Sequence, residues 1–157
     1  MDLVLVLKYL HVIGATILLG TGLGIAFFML RAHRSGDVGI IAHVSGSVVV
    51  ADLVFTATAV VMQPVTGFLL AKMTGYDLSE RWILASLGLY LIIGLFWLPV
   101  VFIQMRIGAL ARKALMSGQA LPQAYYRLFW IWFAFGWPAF GAVLAIFWLM
   151  IARPAIG

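Results

Sequence analysis

Residues 7–30 read LKYLHVIGATILLGTGLGIAFFML, an apolar run whose strongly polar members are Lys8 and His11. A helix rises about 1.5 Å per residue and the hydrocarbon core of a bilayer is about 30 Å thick, so about 20 such residues cross it. The run is long enough to cross, and far longer than the roughly 7–15 apolar residues of a secretory signal. It follows Met1-Asp2 with no basic leader, and no small-residue cleavage site comes after it. It predicts a membrane helix.

The rest of the chain repeats this pattern. Of 157 residues, 65% are hydrophobic and 10% charged, where a soluble domain carries about a quarter charged residues to wet its surface. The surface here is expected to face a lipid bilayer. Four apolar runs predict helices over about 3–30, 44–72, 82–105 and 127–152. No period-two alternation persists, which argues against a β-barrel. The expected fold is all-α, an integral membrane four-helix bundle, with 1–157 forming a single transmembrane domain.

Polar punctuation supports this division. RAHRSGDVG (31–39) is a turn, and KMTGYDLSER (72–81) is another in which Ser79 is placed to cap the third helix. RIGALARKALMSGQALPQAYYR (106–127) predicts an amphipathic extension of the third helix, then breakers at Gly118 and Pro122. Basic residues crowd the first and third loops: Arg31, Arg34, Arg106, Arg112, Lys113 and Arg127. Lys8, Lys72, Arg81 and Arg153 lie at the other end, diluted by Asp2, Asp77 and Glu80. The positive-inside rule then puts both termini on the periplasmic side of a bacterial inner membrane. The net charge of +5 is read as orientation and not as a nucleic-acid footprint. The lack of cysteine removes disulfides, thiolate metal sites, iron–sulfur clusters and covalent haem attachment.

Ionisable groups inside hydrocarbon cost several kcal/mol, so each is a functional candidate. His11 falls about 12 Å into the first helix. Counting inward from the helix ends sets Met62, Gln63 and Thr66 of the second helix and Tyr90 of the third at its level. His33 is expected in the first loop, and His43 at the start of the second helix. That separation keeps His43 from sharing a metal with His11. The His11 surroundings suit a b-type haem: the imidazole as the metal ligand, Gly14 and Gly94 admitting a flat ring, and rim cations Lys8, Lys72 and Arg81 pairing with propionates. Met62 is the candidate second axial ligand. The alternative is a cofactor-free accessory or transporter-like bundle, in which His11 hydrogen-bonds Gln63 or Tyr90 across helices.

Asp52 is expected near the cytoplasmic end of the second helix, level with Arg31, Arg106 and Arg127, in an ion pair or helix-start bond, with a proton-relay role as the lesser reading. QPVTG (63–67) and WPAFG (137–141) share Pro-x-x-Gly, and each proline frees a backbone carbonyl that a neighbour must satisfy. Gly20-x-x-x-Gly24 offers a close helix contact, within the bundle or in a homo-oligomer.

The whole chain resembles the bacterial predicted integral-membrane proteins of domain-of-unknown-function family 2269, in LKYLHVIGATILLGTGLGIAFFMLRAHRSGD, QPVTG, WLPVV, YYRLFWIWFAFGWPAF and LAIFWLM. The first fifth, LKYLHVIG through MLRAH, is also similar to the first helix of HemJ-type protoporphyrinogen oxidases and CopD-like membrane proteins. The former are small helical bundles that bind haem b and depend on the first-helix histidine. That resemblance implies His11 as the haem ligand with Lys8 beside it, and His33 as the histidine ending the helix. Those enzymes also use a lysine within a later membrane helix. Here only Lys72, at the rim, is available. The resemblance thus carries haem binding further than it carries protoporphyrinogen oxidation. A haem protein of this kind implies a redox or electron-transfer role, with a quinone or a redox protein as partner.

Overall fold

The computed structural model describes residues 2–154. It holds four long helices: α1 (Leu3–Ser35), α2 (Val38–Thr74), α3 (Arg81–Ser117) and α4 (Gln123–Ala152). Each is long and apolar enough to cross a membrane, and no strand occurs among the described residues. Large side chains such as Leu91, Leu95, Phe102 and Trp148 point outward, as lipid-facing residues do.

The helices run further than the apolar runs that signalled them. The first connection is only Gly36-Asp37. Gly36 takes a left-handed φ of 67° and closes α1, its N–H bonding His33 O. The Asp37 carboxylate then accepts the Ile40 N–H at 2.9 Å and opens α2. A glycine stop beside an aspartate start needs no further residues, so α2 begins at Val38 and not near 44. His33 therefore lies in the last turn of α1, and His43 inside α2.

The third connection follows expectation. α3 continues through the basic stretch to Ser117, Gly118 adopts φ 63°, and Pro122 precedes α4. Ser79 departs from it. Its N–H and hydroxyl both donate to Asp77 Oδ1 at 2.8 Å, and Glu80 holds the position before α3 without a capping side chain.

α2 is interrupted. Asp52–Thr56 form a π-helical segment in mid-span. Before this segment α2 packs against α1 and α3, and beyond it α2 packs chiefly along α1. The buried core, including Met29, Ile41, Ile107, Tyr125 and Phe129, lies at the basic end where loops one and three turn. Towards the other end the bundle becomes two pairs, α1 with α2 and α3 with α4. Hydrogen bonds that span them include Tyr90 OH to Val60 O, and Arg153 to the Tyr76 hydroxyl at the rim.

Candidate functional site

The antiparallel run of α1 and α2 brings His11 to Thr66. Thr66 Oγ1 has one proton, and it is directed back along α2 to Met62 O at 2.8 Å, with Gln63 O at 3.2 Å. Thr66 Oγ1 also lies 2.8 Å from His11 Nδ1, and with its proton on an α2 carbonyl it meets that nitrogen as an acceptor. In that arrangement Nδ1 carries the imidazole hydrogen, and Nε2 keeps its lone pair. Nε2 has no hydrogen-bond partner among the described residues.

The backbone around the ring is shaped for it. A Cβ at Gly67 would stand 3.2 Å from His11 Cε1, so the missing side chain gives the imidazole its seat. Gln63 Nε2 donates to His11 O at 2.8 Å, a second tie between the helices. One turn further along α1, Gly14 admits the ends of Gln63 and Met62, whose Cε lies 2.6 Å from where a Cβ would be. Gly14 is thus filled from α2 rather than left open to a planar ring. Gly94 faces open space instead.

Sequence counting placed Met62, Gln63 and Thr66 at the level of His11, and the structure brings all three to the same α1–α2 contact. Met62 packs on the His11 face of α1, alongside the imidazole's helix and not across from it. Tyr90 is engaged elsewhere, on Val60 O. Lys8 is exposed one turn outward of His11, Lys72 lies 4.9 Å over the Phe68 ring, and Arg81 begins α3 at the same rim. The span from Thr66 back to His43 along α2 is roughly 35 Å.

A second polar cluster was missed. Asp52, 4% exposed, is not near a helix end and meets no arginine. It stands roughly 21 Å into α2. Trp97 Nε1 donates to Oδ1 at 3.3 Å and Gln104 Nε2 to Oδ2 at 3.4 Å. Trp132 Nε1 in turn donates to Gln104 Oε1 at 3.0 Å. Trp97 and Gln104 are seven apart, hence on one face of α3, and Gln104 is the sole amide within the apolar run of that helix. That spacing was the available signal.

His33 belongs to a third group. Its ring stacks on Phe129 with centroids 3.8 Å apart and planes within 8°, and its Nδ1 lies 3.1 Å from the Tyr125 hydroxyl. This ties the end of α1 to the start of α4. Among the described residues, no three or more of His, Cys, Asp and Glu gather to hold a bare metal ion.

Four membrane-length helices agree with what comparison with known proteins returns. The family model for a predicted integral membrane protein, DUF2269, matches residues 5–154. The chain belongs to this family. No curated protein and no solved structure matches it. The DUF2269 description supplies a location, an integral position in the lipid bilayer, and no activity.

Proposed function

We propose that this protein binds haem b through His11 Nε2 and serves a redox or electron-transfer role in the membrane. The observation that supports it is the Thr66 hydroxyl. With its proton given to Met62 O, it accepts from Nδ1–H and leaves Nε2 the ligating atom. Metal-bound histidines carry this arrangement, with the second ring nitrogen fixed by a hydrogen bond. A porphyrin brings four nitrogens of its own, so one imidazole suffices where a bare ion needs a cluster. The parting of the α1–α2 and α3–α4 pairs at this end gives a flat ligand an approach that a closed bundle would deny. Lys8 and Lys72 stand at the rim where propionates would emerge.

When bound, haem supplies one-electron chemistry, exchanged with a quinone or a redox protein. The chain's own part is to hold the iron through Nε2, fix the ring tautomer through Thr66 and pair the propionates. Met62, its Cε seated at Gly14, would have to leave that seat to reach a group held by His11. With the basic loops inside, the site lies towards the periplasmic side of the inner membrane.

The second reading rests on the same bonds. His11–Thr66 and Gln63–His11 O join α1 to α2 without any cofactor, as in an accessory or transporter-like bundle. The visible spectrum of detergent-purified protein, oxidised and dithionite-reduced, separates the two. The haem reading expects a Soret band in the wild type that is lost in His11→Ala. A wild type that stays colourless after expression with added haem overturns it and leaves His11 as a helix tie.

A further inference from the structure

We propose that Asp52 is a reversible proton-binding site at the middle of the membrane, with the Thr56 hydroxyl as the hydrogen-bond acceptor of the neutral acid. This stands apart from the haem reading, since Asp52 and Thr66 are separated by roughly 21 Å along α2.

Asp52 is a buried carboxyl with no cation beside it among the described residues. A charge this deeply buried in hydrocarbon is costly unless a cation is paired with it, and no ion pair reaches Asp52 among the described residues. Ionisable side chains facing it from neighbouring helices are as scarce. Between His11 and Arg31, α1 has none, and between Arg127 and Arg153, α4 has none. On α3 the stretch from Arg81 to Arg106 offers only Tyr90, which is spent on Val60 O. On α2 Asp52 is alone between His43 and Lys72. Nothing nearby holds the charged form permanently. The N–H groups of Trp97 and Gln104 are directed at the two carboxyl oxygens. Those donors turn their positive ends to the site, so a metal cation would be repelled where a proton is accommodated.

Thr56 gives the independent observation. Thr16, Ser45, Thr58, Thr74 and Ser86 each return the hydroxyl to the carbonyl four residues back. For Thr56 that carbonyl belongs to Asp52, and the π geometry has given it to the Ala57 N–H. Thr56 Oγ1 is left buried and without a hydrogen-bond partner, the residue being 7% exposed. Residues four apart share a helix face. The π segment thus takes from a hydroxyl its usual acceptor, one turn along α2 from a carboxyl with no cation on it. On protonation, a proton from water adds to one Asp52 oxygen. The new O–H turns to Thr56 Oγ1, while Trp97 and Gln104 continue to donate to the carboxyl. Release reverses each step.

Infrared difference spectra of the protein in phosphatidylcholine–phosphatidylglycerol vesicles, titrated with pH, test this. The expected result is a protonated-carboxyl C=O band that appears reversibly on acidification and is lost in Asp52→Asn. In Thr56→Val the same band moves to higher frequency, because the acid loses its acceptor. Identical titrations for wild type and Asp52→Asn overturn the site, and an unmoved band in Thr56→Val removes Thr56 from it. Should Asp52→Asn fail to fold, the side-chain carbons of Asp2, Asp37, Asp52 and Asp77 can be followed by NMR in 13C-aspartate-labelled wild type. Trp97→Phe assigns the Asp52 signal by displacing it. A pH-independent Asp52 shift overturns the proposal.

Discussion

The hydroxyl of Tyr90 donates to the carbonyl of Val60, the acceptor that Pro64 leaves open four residues later. Proline has no N–H to return to that carbonyl, and in hydrocarbon no water replaces it. A side chain from the opposite helix pair does so. Tyr90→Phe is expected to cost about 1–2 kcal/mol in detergent unfolding, the range for an orphaned buried acceptor tempered by membrane hydrogen-bond measurements. Pro64→Ala restores a backbone donor, so Tyr90→Phe should cost distinctly less in that background. Equal losses in both backgrounds would show that the bond is not there for the proline.

Two glycines of α1 should answer alanine oppositely. At Gly14 a Cβ collides with the ends of Gln63 and Met62. Both can swing aside, but Gln63 then gives up its bond to His11 O. Gly14→Ala is expected to lower stability by about 1 kcal/mol, the value of a lost hydrogen bond. At Gly20 a Cβ meets nothing within 4 Å, and Gly20→Ala should be neutral or stabilising by up to about 1 kcal/mol through helix propensity. The same fact shows that Gly20-x-x-x-Gly24 makes no close helix contact within this chain. If a purified oligomer dissociates in Gly20→Ala while the monomer gains stability, that face is its interface.

The loop between α2 and α3 carries a pH dependence of defined sign. The N–H and hydroxyl of Ser79 hold the exposed Asp77 carboxyl below its ordinary value of 3.8. Because the folded value is depressed, the turn's stabilisation is present above 3.8 and is lost as pH falls through the folded value. Hydrogen exchange at the Ser79 amide should accelerate relative to a pH-corrected reference as the solution is acidified across that window. Asp77→Asn should exchange fast at neutral pH already.

Placement of the His11 group was legible in the sequence because α1 and α2 are antiparallel and rise uniformly at that end. Counting from the rim then suffices to put Met62, Gln63 and Thr66 opposite it. The need for a partner at the Pro64 carbonyl was legible too, since it follows from covalent structure. Asp52 was not. The apolar run of α2 begins near 44, but Gly36-Asp37 turns the chain in two residues. The helix therefore starts earlier, and Asp52 moves from the edge to the interior. The π segment has no residue signature, because what makes it is one surplus residue in the packing register. The mismatch shows only where Thr56 loses its carbonyl.

The His11 tautomer is the sharpest statement about the candidate site. A Thr66 hydroxyl that donates to the α2 carbonyls is expected to hold the ring with Nδ1–H and a bare Nε2. 15N NMR of cofactor-free protein labelled at histidine distinguishes a protonated from a bare ring nitrogen directly. The wild type should show a single tautomer with Nδ1 protonated. Thr66→Ser keeps the hydroxyl and should keep that pattern. Thr66→Val removes the acceptor, so the ring should fall back to a tautomer mixture and stability should drop by about 1 kcal/mol. A wild-type spectrum with Nε2 protonated would mean that Thr66 donates to the imidazole. It would remove the observation on which haem ligation through His11 rests, whatever the colour of the protein.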